Sequence, residues 1–188
     1  MRALEPLLAH SDPQTHFTRE PGGTPVAERI RELLLDPEIE MDAWTEAYLY
    51  AAARADHARR GVLPRLLRGE NVVCERYLDS NLAYQGFGRE LGIEAVRELN
   101  ARAVATVMPD KTFYLRLDVA ERRRRALGVA LDRLETLGDE FARRVEEGFE
   151  ELARREPERI EVLDATRSPA DLAELVVGEI RRLQYTRR

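Results

Sequence analysis

Short apolar runs alternate with longer amphipathic segments along this chain. The runs cover residues 16–18, 72–74, 112–117 and 160–163. Runs of this length between polar segments are typical of buried strands, and the intervening segments are long enough for helices. Strands that alternate with helices predict parallel βαβ units. We therefore expect an α/β fold in which helices flank a parallel sheet.

Capping residues indicate where the helices begin and end. Thr24 followed by Pro25 is typical of a helix start. Asp42 predicts the start of a second helix, which runs toward Arg60 and ends at Gly61. The remaining helices are expected over 1–9, from Asp79 or Ser80, over 93–107 and 139–155, and from Ser168 to about 183.

Composition and charge narrow the class of protein. A length of 188 residues without repeats or Gly/Ser linkers predicts one domain over 1–188. No apolar stretch approaches ~18 residues, so we expect no membrane span. A single cysteine, Cys74, and the lack of an export leader predict a cytoplasmic protein. The net charge of −5 argues against binding nucleic acid by bulk attraction.

Polar residues stand at the carboxyl ends of the first two predicted strands, where parallel α/β sheets bind ligands. The first strand ends in TREPGGT at 18–24, whose two glycines permit a tight turn beside an Arg-Glu pair. Glu75 and Arg76 follow the second strand, and such a pair suits a phosphate or a metal-bound water. A turn with a surface ion pair, and a structural salt bridge, are the alternatives that these residues leave open.

Two predicted helices carry side chains that suit a nucleobase. Tyr50 and Arg54 are four residues apart, so a ring and a guanidinium project together and can stack on a base and donate to its edge. Asn81, Tyr84 and Gln85 share one helix face, where two amides beside a phenol can read a base edge. A core tyrosine with a solvent-reaching arginine, and an ordinary polar face, are the alternatives.

Four consecutive arginines at 122–125 follow the strand that ends at Asp118. They could clamp a transferring phosphoryl group, or form a solvated helix face or a nucleic-acid patch. The histidines His10, His16 and His57 lack the spacing of metal ligands, so we expect no metal site in the protein. We expect His57 to be a capping or core residue.

Taken in order, these motifs resemble those of bacterial thymidylate kinase, a nucleoside monophosphate kinase of the P-loop class. The matching segments are TREPGGT at 18–24, MDAWTEAYLYAAARADH at 41–57, VVCERYLDSNLAYQGFGR at 72–89, PDKTFYLRLD at 109–118, LDRLE at 131–135 and VLDAT at 162–166. The resemblance implies a P-loop-kinase-like sheet and phosphoryl transfer from ATP, with Mg²⁺, to dTMP. It also implies a homodimer, with the helix over 42–60 and the helix after Asp79 as interface candidates.

The resemblance assigns roles in binding dTMP. Tyr50 would stack on thymine, Arg54 would donate to a base carbonyl, and Asn81 and Gln85 would read the rest of the edge. Tyr84 would pack near C2′ of the sugar. The residues that would hold the phosphate or lie near the sugar are Arg31, Arg76 and Glu20.

The resemblance also assigns roles in phosphoryl transfer. Glu75 and Arg76 would act at the transferred group together with Arg124 and Arg125, which belong to a lid segment over about 119–137. The ATP side would be bound by Arg133, Asp164 and Ala165.

Two departures from the family pattern affect the expected function. Glu75 stands where the family has aspartate, which keeps open a kinase for another nucleotide or a deoxynucleoside. The phosphate loop G-x-x-x-x-G-K-[ST] does not occur in the sequence, whose one lysine is Lys111 after Pro109 and Asp110. We expect the family's central first strand and its loop to lie before Met1 in a longer kinase.

Without that strand, the sheet would contain a gap of roughly 9–10 Å. Because the phosphates of ATP would lack their cradle of backbone amides, we expect the chain as given to have little or no turnover. A non-catalytic nucleotide-binding or dimerisation protein is the alternative of a different class. A nucleic-acid-binding module that uses residues 122–125 is the third.

Overall fold

The computed structural model describes residues 1, 3–11, 14–105, 107–126 and 133–186. Its strands form two parallel pairs. Strand β1 (Thr15–Arg19) pairs with β2 (Asn71–Glu75), and β3 (Thr112–Arg116) pairs with β4 (Ile160–Asp164). All four strands lie at the apolar runs of the sequence, with ends that differ by one residue at most. The α/β fold class with parallel strands is therefore confirmed.

In the part of the chain that the structure describes, no strand hydrogen bonds join the two pairs. Among the described residues, β2 pairs only with β1 and β3 pairs only with β4. This division into two pairs is the arrangement expected of a parallel sheet that lacks its central strand. One edge of β2 and one edge of β3 therefore carry peptide groups without a strand partner in the described part of the chain.

Helices connect and cover the strands. They are α1 (Leu4–Ser11), α2 (Pro25–Leu35), α3 (Ala43–Asp56), α4 (Leu63–Leu67), α5 (Leu78–Asn81), α6 (Ile93–Val104), α7 (Val119–Ala126), α8 (Gly138–Arg155) and α9 (Pro169–Thr186). Two π-helical segments, His57–Val62 and Leu82–Gly88, extend α3 and α5 without a break, and a 3₁₀ turn, Glu135–Leu137, precedes α8. No helix among the described residues is both long and apolar enough to cross a bilayer.

The start of α2 follows the predicted capping pattern. The Thr24 hydroxyl accepts from the Ala27 amide at 3.4 Å, and Pro25 occupies the first helical position. Asp42 caps α3 in the same manner by accepting from the amides of Trp44 and Thr45. Both predicted starts are confirmed because a short polar side chain stands directly before each helix.

The predicted end of the second helix is wrong. The helix does not end at Gly61 but continues through the π-helical segment and α4, and Gly69 follows in a left-handed conformation with φ +78°. Gly61 instead allows close packing on His57, because a Cβ at this position would lie 2.9 Å from the His57 ring. This requirement arises from the position of the His57 ring, which Thr18 and Glu20 hold from distant positions in the sequence.

Two further expectations for local structure need correction. The helix expected over 1–9 begins at Leu4 and ends at Ser11 instead, so Pro6 lies in its first turn, where the missing N–H of proline would have no partner within the helix anyway. Neither Asp79 nor Ser80 caps α5, which begins at Leu78 with Tyr77 before it. The Asp79 carboxylate faces the second strand pair instead.

Three apolar clusters hold the elements together. In the largest, α5, its π-helical extension, α6 and α8 pack against the second strand pair through buried residues such as Leu82, Val96 and Leu152. In another, α1 and α9 pack together and against Phe17 of β1 and Val73 of β2. Because α9 follows β4 and yet contacts β1 and β2, it joins the two strand pairs. A small third cluster lies around Val62 and Val107.

Candidate active site

A cleft opens at the carboxyl ends of β1 and β2. It is lined by Arg19, Glu20, Pro21, Arg31, Leu35, Tyr50, Arg54, Glu75, Arg76, Tyr77, Ser80, Asn81, Tyr84, Gln85 and Leu134. The structure thus brings together all eight residues that the sequence assigns to dTMP, and it adds Glu75. Their roles in binding stay predictions, but their convergence from five separate elements is a finding.

The turn after β1 forms one wall of the cleft. The Gly23 amide donates to Glu28 at 2.8 Å, and Arg31 donates to the carbonyl of Pro21 at 2.9 Å. Gly23 has φ +82°, and a Cβ there would lie 2.6 Å from the Thr18 hydroxyl oxygen. The turn therefore requires glycine at this position for both its backbone conformation and its close approach to neighbours.

Arg54 and Glu20 form a buried ion pair beneath the cleft. The guanidinium donates to the Glu20 carboxylate at 2.8 Å, and the side chains are only 2% and 3% exposed. The other Glu20 oxygen lies 2.9 Å from Nδ1 of His57, whose Nε2 lies 2.8 Å from the Thr18 hydroxyl. Because a carboxylate only accepts hydrogen bonds, Nδ1 of His57 carries a proton. The expectation that His57 is a core residue is confirmed, since it is 1% exposed.

The two amides predicted to read the base are hydrogen-bonded to each other. Nδ2 of Asn81 donates to Oε1 of Gln85 at 2.7 Å, which agrees with their positions four residues apart on one helix face. Arg54 donates through Nη1 to Oδ1 of Asn81 at 2.8 Å and to Oδ1 of Asn100 at 2.6 Å. The tyrosine of the same face, Tyr84, lines the cleft beside them.

Glu46 is a site residue that the sequence analysis missed. Its buried carboxylate accepts from Nε2 of Gln85 at 2.8 Å and from Nη2 of both Arg89 and Arg133 at 2.7 Å. Burial opposes its ionisation, but the hydrogen bonds from Arg89, Gln85 and Arg133 outweigh burial and lower the pKa of the carboxyl group. The sequence did contain a clue, because Glu46 lies one helical turn before Tyr50 and shares its face.

Arg76 reaches the cleft from a strained backbone position. Its φ is +62°, which is uncommon for a residue with a side chain. The guanidinium carbon lies 4.9 Å from the centre of the Tyr84 ring, at a distance suited to a cation–π contact. The carbonyl of the preceding residue, Glu75, accepts from the Glu20 amide at 2.9 Å and so ties the ends of β1 and β2 together.

The predicted lid arginines lie outside the cleft. Arg124 and Arg125 both donate to Glu121, and these hydrogen bonds lower the pKa of Glu121 to about 2. Arg125 also donates to the carbonyl of Ala165 at 3.0 Å, so α7 touches the turn after β4. The side chains of Arg122 and Arg123 and residues 127–132 lie outside the described part of the chain.

The residues assigned to ATP separate into two places. Asp164 accepts from the amide and hydroxyl of Thr166, and Ala165 follows it in the turn after β4. Arg133 is buried on the opposite side, where it donates to the carbonyl of Leu34 at 2.9 Å as well as to Glu46. In this structure Arg133 therefore supports the amide side of the cleft, and its contact with ATP stays a prediction.

A larger groove of about 770 Å³ runs between α8 and β4. Its polar lining is mostly glutamate, as at Glu146, Glu147 and Glu150, and none of the predicted site residues lines it. The described residues also contain no group of three or more His, Cys, Asp or Glu that could hold a metal ion. The chemistry of the site therefore centres on the cleft beside β1 and β2.

Parallel strands flanked by helices, with the cleft at the carboxyl ends of β1 and β2, define an α/β protein that binds its ligand at the edge of the sheet. The family model described as thymidylate kinase matches residues 1–176. The thymidylate kinase of Pelotomaculum thermopropionicum is 49% identical over 156 residues, which cover 81% of this chain and 72% of that protein. The one from Symbiobacterium thermophilum is 44% identical over 181 residues, which cover 94% and 83%.

A solved structure gives the same answer for the fold. The crystal structure of thymidylate kinase from Ehrlichia chaffeensis matches with a TM-score of 0.76 and 27% sequence identity, covering 96% of this chain and 89% of that one. The chain belongs to the thymidylate kinase family, whose members are nucleoside monophosphate kinases. The resemblance drawn from the sequence is thereby confirmed.

Proposed function

We propose that this protein binds dTMP in the cleft and phosphorylates it with ATP, giving dTDP and ADP. The observation that carries the proposal is the convergence of Tyr50, Arg54, Asn81 and Gln85 with Arg31 and Arg76 in one cleft. An aromatic ring and three hydrogen-bonding side chains suit a base, and two arginines suit a phosphate. Membership of the thymidylate kinase family supports dTMP as the substrate.

We assign the residues as follows. Tyr50 stacks on thymine, while Arg54, Asn81 and Gln85 bind its polar edge. Tyr84 packs near C2′ of the sugar, where a 2′-hydroxyl would crowd it, and Glu20 lies near the sugar. The arginines that hold the 5′-phosphate are Arg31 and Arg76.

Phosphoryl transfer needs positioning and charge neutralisation more than covalent chemistry. ATP enters as its Mg²⁺ complex, so the metal belongs to the substrate and requires no cluster of protein carboxylates. We assign Glu75 and Arg76, which line the cleft, to the transferred group. We assign Arg124 and Arg125, of the lid segment over about 119–137, to the same group, and Arg133, Asp164 and Ala165 to the binding of ATP.

We propose that the chain as given binds dTMP but turns it over poorly. Its one lysine, Lys111, lies away from the cleft, with its ammonium 3.3 Å from Glu161 and 3.7 Å from Glu179. The sequence therefore offers no lysine to the phosphates of ATP, and the loop that supplies one in P-loop kinases is not part of it. A non-catalytic nucleotide-binding protein is the second candidate function, and the same feature favours it.

The decisive experiment is calorimetric titration of dTMP, dCMP, dAMP and thymidine into the 188-residue protein. We expect dTMP to bind more tightly than dCMP and dAMP. Titration of thymidine tests the alternative function, a deoxynucleoside kinase, which the Glu75–Arg76 pair leaves open. Equal binding of all four ligands by folded protein would contradict the proposal.

A matched pair of variants on α2 tests the phosphate assignment. Arg31 lines the cleft, whereas Arg29 points outward, with 81% of its side chain exposed. R31Q removes a charge-assisted hydrogen bond to the phosphate, worth roughly 1.5–3 kcal/mol, so dTMP affinity falls about ten- to hundred-fold. R29Q removes the same charge and leaves affinity unchanged. Turnover by a protein to which a phosphate loop has been added separates a kinase from a non-catalytic binder.

We also propose a cytoplasmic homodimer that forms through α3. Among its large side chains, Trp44 is 42% and Tyr48 is 59% exposed, and their rings lie 6.2 Å apart on one face. The other interface candidate, the helix after Asp79, buries Leu82 and Ala83 within its own chain. Sedimentation equilibrium of the W44E/Y48E variant tests the proposal: a monomer is expected, and an unchanged dimer would contradict it.

A further inference from the structure

Glu46 is completely buried in α3 and connects Gln85, which lines the cleft, to Arg89 and Arg133. It lies on the same helix face as Tyr50 and Arg54, at intervals of four residues, yet it does not line the cleft itself. Its Oε1 accepts from Nε2 of Gln85 and from Nε of Arg89, and its Oε2 accepts from Nη2 of Arg89 and of Arg133. Glu46 therefore acts on a ligand only through the residues that it holds.

The hydrogen bonds between Glu46 and Arg54 run in one direction. Gln85 donates to Glu46 through Nε2, Asn81 donates to Gln85 through Nδ2, and Arg54 donates to Asn81. A carboxylate can only accept and a guanidinium can only donate, so the two ends of this chain admit a single orientation for each amide between them. Asn100 reinforces that orientation by donating to Oδ1 of Asn81 at 2.9 Å.

The orientation of these amides matters because pyrimidines differ in their hydrogen-bonding edges. Thymine offers an acceptor at O4 and a donor at N3, whereas cytosine offers a donor at N4 and an acceptor at N3. An amide that turns by 180° exchanges its oxygen and nitrogen and thus prefers the other base. A cleft whose amides are held in one orientation selects between the two bases.

We propose that Glu46 is a positioning residue that sets the base selectivity of the cleft, because its carboxylate holds the Gln85 and Asn81 amides in one orientation. The proposal rests on the function proposed above, in which those amides read thymine. Arg89 and Arg133 keep the carboxylate ionised, so it stays a pure acceptor near neutral pH. Leu134, next to Arg133, lines the cleft directly, which places this support beside the ligand.

A purely structural role for Glu46 makes a different prediction. If Glu46 only neutralised Arg89 and Arg133, its loss would lower the stability of the protein and weaken the binding of all nucleotides by the same factor. The ratio of dTMP affinity to dCMP affinity separates the two roles, because general loosening of the cleft does not move a ratio. This ratio is obtained from the same calorimetric titrations in every variant.

The test uses E46Q, in which an amide that both donates and accepts replaces the carboxylate. The Gln85 amide can then rotate by 180° and exchange its oxygen and nitrogen. We therefore expect the dTMP-to-dCMP affinity ratio to fall about ten- to hundred-fold. E46D retains a pure acceptor and should keep the wild-type ratio. E98Q, an exposed change of the same kind on α6, should also keep it. A folded E46Q protein with an unchanged ratio overturns the proposal.

Two further measurements keep the proposal testable if E46Q fails to fold. The double variant E46Q/R133Q removes one negative and one positive charge together, so the buried group keeps its net charge, and the same fall in ratio is expected. In the wild-type protein, the side-chain amide protons of Gln85 should exchange slowly by NMR; rapid exchange overturns the proposal without any variant. Absence of dTMP binding by the wild type would instead refute the proposed function and leave this amide measurement valid.

Discussion

Two glycines within helices, Gly61 and Gly178, have opposite surroundings. A Cβ at Gly178 in α9 would meet no atom within 4 Å, whereas a Cβ at Gly61 would lie 2.9 Å from the ring of His57. That ring cannot move freely, because Glu20 and Thr18 hold both of its nitrogens. The same substitution should therefore have opposite effects on stability at the two positions.

We expect G178A to raise the free energy of unfolding by roughly 0.5–1 kcal/mol, the usual gain from replacing a helical glycine by alanine. We expect G61A to lower it by about 1–3 kcal/mol, since overpacking forces His57 away from its partners. Urea denaturation of both variants gives the comparison. A stabilised G61A protein would mean that His57 is not held as described.

The site residues that could be predicted from sequence are those with a local pattern. Tyr50 and Arg54 share a helix face through their spacing, as do Asn81 and Gln85, and each pair does meet in the cleft. Asn100 and His57 join the same buried network from distant positions in the sequence, so no spacing indicates them. Glu46 was detectable only by extending the face of Tyr50 back by one turn.

At the scale of elements, the strands and helix starts were predictable, whereas some helix ends were not. Thr24 and Asp42 cap through contacts with the next three residues, so the sequence itself contains the full interaction. Gly61 packs instead on the ring of His57, which Thr18 and Glu20 hold from 39 and 37 positions earlier, and the place of Asp79 depends on Arg159, 80 positions later. Local sequence cannot specify contacts of that range.

The strands β2 and β3 each have one paired and one unpaired edge among the described residues. Successive peptide groups of a strand point to opposite sides, so amides along β2 and β3 should alternate in protection. We expect the amides that face β1 or β4 to exchange at least about tenfold more slowly than their neighbours, because their hydrogen bonds to the paired strand must break before exchange. Hydrogen exchange followed by NMR on the 188-residue protein measures this. Uniform protection along β2 and β3 would show that the edges facing away from β1 and β4 are also hydrogen-bonded in solution.

At the scale of the whole molecule, side chains replace strand hydrogen bonds as the connection between the two strand pairs. Asp79, which follows β2 at the start of α5, accepts from the hydroxyl of Thr112 in β3 at 2.8 Å. It also forms a two-point ion pair with Arg159, directly before β4, at 2.6 and 2.7 Å. One carboxylate, four residues after β2, thus contacts β3 through Thr112 and the start of β4 through Arg159.

Loss of Arg159 should therefore weaken the whole fold. Its side chain is 15% exposed and that of Asp79 is 4% exposed, so R159Q leaves a nearly buried carboxylate without its cation, which costs about 3–5 kcal/mol. Arg154 offers a matched control, because it also pairs with a glutamate three residues earlier but is 72% exposed. We expect R154Q to cost less than about 1 kcal/mol.

If denaturant unfolding finds equal losses of stability for the two variants, the strand pairs are held together by α9 and the apolar clusters rather than by Asp79. A broader transition for R159Q would indicate that the pairs then unfold separately, because a lower m value accompanies lost cooperativity.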